Sequence, residues 1–324
     1  MSKLVKLGFV AALGFGGWYF FTHFRVQGLE NVKVAPRGQA ASATGPARTH
    51  TPFAPQPAKK AIRIAAANFG PLDQAKLAKQ HVAGRLVQIV RQFDLLALQD
   101  VRARDQSLLV QLLEQVNTGG RHYDFAAAPE VGRERVRQYN AFVFDTDVIE
   151  IDRRTVAGVE TRSEGFVHVP LVAGFRVRGP SPEEAFTFTL VNVHVAADRT
   201  EEELQLLANV FRAVRDDGRN EDDTILLGTI GTDEEHLGPL ASLPNATCAI
   251  LATPTSVRGT QRTDNLLFDR RATSEYAHRS GVVDLMRQFS LSTAEALEMG
   301  EHLPVWAEFS AYEGGQAGNV AVAR

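Results

Sequence analysis

The sequence predicts an α/β fold in which layers of β-sheet are flanked by helices, preceded by one membrane-spanning helix. Three observations lead to this prediction: an uncharged apolar segment at the N-terminus, a Pro/Ala-rich stretch after it, and alternating strand and helix patterns over the remaining chain. The protein has 324 residues, of which 44% are hydrophobic and 23% are charged. That balance is sufficient for one large core.

The N-terminal segment, residues 1–25, is predicted to be an uncleaved signal anchor. Lys3 and Lys6 precede an apolar run over residues 7–24 that is long enough for a spanning helix. Trp18 lies near the far end of this run, where amphipathic aromatic residues favour the membrane interface. No cleavage site of small residues follows. We expect a single-pass anchor with the domain on the extracytoplasmic side, although basic residues beyond the run weaken the argument for that orientation.

Residues 26–60 are predicted to form a disordered linker, because their Pro, Ala, Gly and Thr composition cannot bury a core. One domain is expected over residues 61–312, followed by a flexible C-terminal tail at 313–324. The single cysteine, Cys248, excludes an intrachain disulfide. The net charge of -3 lacks the basic excess of general nucleic-acid binders. Nonspecific nucleic-acid binding is therefore not favoured, and the membrane is the partner that the N-terminal helix implies.

The predicted elements of the domain alternate between two periodicities. Ile62, Ile64 and Ala66 recur at every second position and predict a strand over residues 61–68. Apolar residues at helical spacing predict helices over residues 82–93 and 108–116. A third helix is predicted to begin at a capping box formed by Thr200 and Glu203. The other predicted strands cover residues 94–99, 141–145, 148–152, 171–177, 185–194, 224–227, 265–268 and 304–309.

Short polar motifs lie at the ends of several of these strands. Asn68 closes the first one, Gln-Asp-Val follows at 99–101, and Asn-Val-His follows at 192–194. Two longer motifs come later, Thr-Asp-Asn-Leu-Leu-Phe-Asp at 263–269 and Gly-Glu-His-Leu-Pro-Val-Trp-Ala-Glu-Phe at 300–309. In this order they resemble the motifs of the endonuclease/exonuclease/phosphatase superfamily, which contains DNase I and the abasic-site endonucleases. The resemblance implies a DNase I-like, four-layer α/β sandwich of two packed mixed β-sheets flanked by helices.

The resemblance also implies a chemistry and a set of residues for it. Members of the superfamily hydrolyse phosphoesters with a divalent metal, so Mg²⁺ or Mn²⁺ is the expected ion and a phosphoester the expected substrate. Hard oxygen ligands suit such an ion. By their match to the motifs, the expected catalytic residues are His194, Asp264 and His302, and the expected metal ligands are Asn68, Asp100 and Glu301.

Four positions depart from the pattern of the superfamily. Gln138 stands where the superfamily has a glutamate, and His168 where it usually has an arginine. Thr229 and Gly231 replace the Asp and Asn of a Gly-Asp-x-Asn motif that contacts the nucleophile and the phosphate. Asp100 and Glu301 themselves exchange one carboxylate type for the other. Removing one such donor or base costs about 10²–10⁴ in rate, so the site is expected to be degenerate.

Two hypotheses about function follow from these departures. In the first, the domain is a pseudoenzyme with impaired or lost catalysis that keeps a phosphate-binding or protein-binding role. In the second, it is an active Mg²⁺-dependent phosphodiesterase or phosphatase with a rebuilt site that uses Asp233 or His236. Under either hypothesis, the sequences of the loops that would select the substrate do not identify that substrate.

Overall fold

The computed structural model describes residues 59–128, 137–159, 165–219 and 221–315. The predicted membrane anchor, nearly all of the predicted linker and most of the predicted tail lie outside these residues. Within the described ranges, the structure contains no helix with the length and apolar character needed to cross a membrane.

Two six-stranded sheets form the centre of the domain. The strands are β1 (Ala61–Leu72), β2 (Leu95–Ala103), β3 (Tyr123–Ala127), β4 (Arg137–Asp145), β5 (Ile149–Gly158), β6 (Leu171–Val177), β7 (Thr187–His194), β8 (Thr224–Thr229), β9 (Ala246–Cys248), β10 (Asp264–Asp269), β11 (Tyr276–Val282) and β12 (Val305–Ser310).

Both sheets are mixed. The first has the order β11-β12-β1-β2-β4-β3 and the second has the order β5-β6-β7-β8-β10-β9. Strands β1 and β2 run parallel in the first sheet, as β7 and β8 do in the second, and the other pairs are antiparallel. Parallel neighbours end at the same edge of a sheet. Four of the predicted site residues lie on these strands: Asn68, Asp100, His194 and Thr229.

Six helices in the described residues accompany the sheets. Helices α2 and α4 are amphipathic, and each buries one stripe of apolar side chains. The short helix α6 begins at a capping box formed by Ser292 and Glu295. The helices are α1 (Gln74–Leu77), α2 (Gln80–Val90), α3 (Ser107–Val116), α4 (Thr200–Arg215), α5 (Leu285–Phe289) and α6 (Thr293–Met299).

Alternation along β1 shows how the layers are stacked. Ile62 and Ile64 point into a core shared by the two sheets, whereas Ala65 and Ala67 point into a core shared with α2, α3 and α6. A third core packs the outer face of the second sheet against α4. The order of layers is therefore helix, sheet, sheet, helix. The predicted sandwich of two packed mixed sheets with helices is confirmed, and nothing in the described residues tests the membrane helix that was expected to precede it.

The capping box predicted at Thr200 is wrong. Arg199 precedes α4 without capping it through its side chain, and Thr200 is already helical. Glu203 is instead fully buried, where its carboxylate accepts hydrogen bonds from the N–H of Val167 at 2.8 Å and of Ala196 at 3.0 Å. Glu203, which the sequence pattern placed in a helix cap, therefore connects the loops that contain Val167 and Ala196 to α4 through these hydrogen bonds.

Candidate active site

Three predicted site residues lie side by side in the second sheet. His194 ends β7, Thr229 ends β8 and Asp264 begins β10. The strand registers pair Thr229 with His194 on one side and with Asp264 on the other. Because β7 and β8 are parallel and β10 returns antiparallel, all three side chains arrive at one edge of the sheet.

Thr229 connects this row to the first sheet. The side-chain amide of Asn68, on β1, donates a hydrogen bond to the Thr229 hydroxyl at 3.1 Å. The Thr229 hydroxyl in turn donates to Oδ1 of Asp264 at 2.8 Å. Thr229 is buried, so its single donor and one of its acceptor positions are committed to these two neighbours. Thr229, which stands where the superfamily has an aspartate, therefore serves as a neutral bridge between the side chains of Asn68 and Asp264.

Asp264 and His302 form an oriented pair. Nδ1 of His302 lies 2.8 Å from Oδ2 of Asp264, and the hydroxyls of Thr255 and Thr263 donate to the same oxygen at 2.9 and 3.0 Å. Burial alone would lower the pKa of His302, but the hydrogen bond and negative charge of Asp264 outweigh burial and raise that pKa. The pair fixes the imidazole orientation and favours its cationic form.

His194 has the opposite electrostatic environment. The amide nitrogen of Gln138 lies 2.9 Å from its Nδ1, and that of Asn68 lies 3.4 Å from its Nε2. The His168 ring stacks on it with centroids 4.4 Å apart. Burial, reinforced by the neighbouring His168 and His302, lowers the pKa of His194 to about 3. A neutral imidazole can accept an amide N–H at one of its two ring nitrogens, whereas both nitrogens of a cationic imidazole donate, so the two neighbouring amide nitrogens disfavour the cation.

Two of the predicted metal ligands meet at Gly70. A Cβ on this glycine would overlap Oδ2 of Asp100 and would lie 2.7 Å from Oδ1 of Asn68. Asp100 is buried and adopts a φ of 53°. Arg102 donates two hydrogen bonds to it, from Nε to Oδ1 at 2.6 Å and from Nη2 to Oδ2 at 3.1 Å. The carboxylate expected to hold the metal is thus already paired with a cation.

The third predicted ligand, Glu301, is exposed beside this region. Within the described residues, two groups of three acidic side chains are spaced to hold one metal ion, and neither contains Asp100 or Glu301. Both groups contain Asp223, which precedes β8 at its opposite end. One arginine-paired carboxylate and one amide oxygen do not fit a preassembled divalent-metal site. The Mg²⁺ or Mn²⁺ ion at this edge stays a prediction.

The remaining altered positions add no acid or base to the site. Gly231 has a φ of 82° and offers only its backbone, whose N–H donates to the carbonyl of Thr263 at 3.1 Å. In the loop beyond it, Nδ1 of His236 lies 2.6 Å from Asp233, and Arg262 donates to Asp233 at 3.1 Å. Asp233 and His236, the residues expected to rebuild the site, therefore contact each other, and Asp233 also accepts a hydrogen bond from Arg262.

Two residues of the site were missed in the sequence. Arg102 stands two positions after Asp100, and side chains at this spacing lie on one face of a strand, so this pairing could have been anticipated. The contact of Thr255 with Asp264 comes from a loop without strand or helix periodicity and left no such pattern.

Comparisons with known proteins agree with this architecture, although no model of a protein family matches the chain. The deoxyribonuclease-1-like 2 protein of Mus musculus is 25% identical over 264 residues, which are 78% of this chain and 93% of the relative. An endonuclease/exonuclease/phosphatase family protein from Leptotrichia buccalis superposes with a TM-score of 0.53 at 11% identity, over 77% of this chain and 99% of the other. The mannosyl-6-phosphatase of Bacteroides thetaiotaomicron gives a TM-score of 0.51 at 14% identity, over 76% and 98%. The chain is thus similar to members of the endonuclease/exonuclease/phosphatase superfamily, and the resemblance to that superfamily predicted from the motifs is confirmed together with the DNase I-like fold.

Proposed function

We propose that the domain is a phosphoester-binding module of this superfamily in which hydrolysis is impaired or lost. The observation that carries the proposal is the position of Thr229, whose hydroxyl is held between Asn68 and Asp264. A carboxylate at that position would serve as a base, whereas a hydroxyl with its proton donated to Asp264 does not. The deoxyribonuclease and phosphatase names of the relatives support phosphoesters as the class of ligand.

Binding of a phosphoryl group is supported by the His302 side chain. Asp264 engages Nδ1 and raises the pKa of the ring, so Nε2 of a cationic imidazole is left to donate to a phosphoryl oxygen. Arg102 is half-exposed at the same edge; Asp100 engages its Nε and Nη2, and Nη1 is left to donate to an anion. A charge-assisted hydrogen bond of this kind binds an anion without any need for a base.

Loss of hydrolysis is supported by the chemistry of the other side chains. A neutral His194 with a pKa near 3 is a weak base at neutral pH, because a general base works best when its pKa lies near the working pH. Thr229 and Gly231 remove a base and an amide donor, and each such loss costs about 10²–10⁴ in rate. The effects are not additive, but together they leave little of the superfamily's rate.

The proposal places this module at a membrane through the N-terminal segment. Residues 7–24 support this part, because they are uncharged and long enough to span a bilayer as a helix. The domain would then lie on the extracytoplasmic side, tethered by the linker over residues 26–60.

A gain-of-function experiment tests the proposal. The double variant Thr229→Asp/Gly231→Asn restores the superfamily's residues, and asparagine tolerates the left-handed backbone of Gly231. With Mg²⁺ or Mn²⁺ and bis(p-nitrophenyl) phosphate, we expect hydrolysis to rise at least about 10²-fold over the unmodified chain. Adding His302→Ala to the double variant should abolish the gained activity.

The competing hypothesis, an active hydrolase with a rebuilt site, makes the reverse prediction. It draws on the intact Asp264–His302 pair, which an active enzyme would also need. In that case the unmodified chain hydrolyses the phosphodiester in a metal-dependent manner and Asp233→Asn abolishes the reaction. That result, with no gain in the double variant, would overturn the proposed loss of catalysis.

A further inference from the structure

A second cluster of acidic side chains lies at the end of the sandwich opposite the candidate active site. Asp223 immediately precedes β8, Glu275 immediately precedes β11, and Glu313 follows β12. One carboxylate oxygen from each lies within 4.8 Å of the others. Strand β8 separates Asp223 from Thr229 by six residues, roughly 20 Å of extended chain. The cluster is therefore separate from the edge that carries His302.

Two of these carboxylates are buried, and one of them has an oxygen without a partner. Asp223 is 1% exposed and Glu275 is 2% exposed. Among the described residues, Oε2 of Glu275 accepts no hydrogen bond, and the Thr273 hydroxyl is the side-chain hydrogen-bond partner of Asp223. A buried polar atom left without a partner costs about 1–3 kcal/mol, and more when it carries charge. An ion or a water bound in the cluster would supply the missing partner.

One oxygen of each glutamate accepts a hydrogen bond from the backbone. The N–H of Gly314 donates to Oε1 of Glu275, which leaves Oε2 free. The N–H of Thr187 donates to Oε2 of Glu313 at 3.3 Å. These bonds set the orientation of both glutamates in the absence of a ligand, so the cluster has the character of a preformed site.

The charge of the cluster is unbalanced. Glu221 and Asp222 add two further acids next to Asp223, and within the described ranges no lysine, arginine or histidine forms an ion pair with any member. Burial, and then the charge of Glu275, raises the pKa of Asp223 well above its usual value. Burial, and then the charge of Glu275, likewise raises the pKa of Glu313 to about 7. A bound cation would remove both penalties.

We infer that Asp223, Glu275 and Glu313 form a structural Ca²⁺ site. All three ligands are carboxylates, and carboxylate oxygens favour hard cations such as Ca²⁺ and Mg²⁺ over soft metal ions. Ca²⁺ accepts irregular oxygen arrangements at 2.3–2.6 Å, whereas Mg²⁺ demands a near-ideal octahedron at 2.0–2.1 Å. Carboxylate oxygens supplied by three separate segments form an irregular arrangement of this kind, which suits the larger ion. The ion would join the starts of β8 and β11 to the turn after β12, and its role would be stability.

Thermal unfolding of the full chain tests the inference. Protein stripped with EDTA is titrated with CaCl₂, and we expect a saturable rise in Tm of about 5 °C. The isosteric variant Asp223→Asn/Glu275→Gln should lose this rise, and in EDTA it should melt no lower than the unmodified chain because buried charge has been removed. Glu313→Gln, at the less buried ligand, should weaken Ca²⁺ binding measured by calorimetry at least about 10-fold.

Matched variants distinguish this site from surface binding and from the candidate active site. Glu183→Gln removes an exposed acid near the turn and should leave the Ca²⁺ response intact. Asp100→Asn removes a predicted active-site ligand and should also leave it intact. A missing Ca²⁺ response in the unmodified chain, a response retained by Asp223→Asn/Glu275→Gln, or one lost only in Asp100→Asn would overturn the inference. None of these outcomes bears on hydrolysis, so the proposed function is tested separately.

Discussion

At the scale of single residues, the Asp264–His302 pair is the part of the site in which a carboxylate favours the cationic form of an imidazole. The carboxylate outweighs the burial of the ring and raises the pKa of His302. Replacing Asp264 by asparagine keeps the shape and removes the charge, so we expect the pKa of His302 to fall by at least about one pH unit. Proton NMR titration of the imidazole signals measures this value directly.

A surface pair provides the control for that titration. Asp147 lies 2.9 Å from His122 and raises its pKa through a hydrogen bond and its charge. Asp147→Asn should therefore move the titration of His122 and leave that of His302 unchanged. An unchanged His302 titration in Asp264→Asn would mean that the pair does not control the imidazole.

The neutral state of His194 predicts a pH dependence of stability. Its pKa is lowered to about 3 in the folded protein against 6.5 in the unfolded chain, so between these values the unfolded chain binds more protons. This contribution to stability is fully present above pH 6.5 and is lost as the pH falls toward 3. At pH 5 the loss amounts to about 2 kcal/mol.

Urea unfolding at pH 7.5 and pH 5 isolates this contribution. His194→Gln removes the titrating ring and keeps an amide beside Gln138. Between the two pH values, the variant should lose less free energy of unfolding than the unmodified chain. The carboxylates are the same in both proteins, so their contribution cancels in this comparison. Equal losses in the two proteins would show that His194 is not held neutral.

At the scale of elements, the close approach of β7 and β8 depends on Gly228. It adopts a φ of 130°, and a Cβ there would overlap the carbonyl oxygen of Val193. We expect Gly228→Ala to destabilise the domain by about 3 kcal/mol or more, because both the backbone strain and the overlap are unfavourable. Gly84→Ala is the matched control: Gly84 lies on α2 with no atom within 4 Å of a Cβ, and alanine there should stabilise by up to about 1 kcal/mol. Equal melting temperatures for the two variants would contradict this account.

Most strands and the three longest helices were predictable from the sequence, whereas β3, β9, β11 and the short helices α1, α5 and α6 were not. Strand β11 has seven residues but no alternation of buried and exposed positions. Strands such as β1 and β7 and the helices α2 and α3 carry enough residues for their periodicity to be recognised. Strand β9 has three residues and α5 has five, too few for a repeat to appear. The capping box predicted at Thr200 failed for a related reason, because a local motif cannot show that Glu203 is drawn into a tertiary contact.

At the scale of the whole molecule, the order of the motifs predicted the fold, but the contacts between sheets decide what the site can do. Asn68 and Thr229 lie 161 positions apart and share a hydrogen bond, and Gln138 reaches His194 from the other sheet. Such pairings depend on how two sheets stack, which a single sequence does not encode locally. The sequence showed that Thr229 replaces the aspartate of the motif, but it did not show that the Thr229 hydroxyl bridges Asn68 and Asp264.

The core between the sheets should make the domain unfold as one unit. Phe309 on β12 is fully buried there and contacts Phe186, Phe268 and Tyr276, with ring centroids 5.8–6.0 Å apart. Phe309→Leu leaves a cavity shared by both sheets, and we expect a loss of roughly 1–3 kcal/mol, less than the about 3–5 kcal/mol of a change to alanine. Hydrogen exchange followed by mass spectrometry should show faster exchange in peptides from β1 and from β8 to the same extent. Phe125→Leu, on the edge strand β3 and only partly buried, should cost less and act locally. Exchange that accelerates in one sheet alone after Phe309→Leu would show that the two sheets open independently.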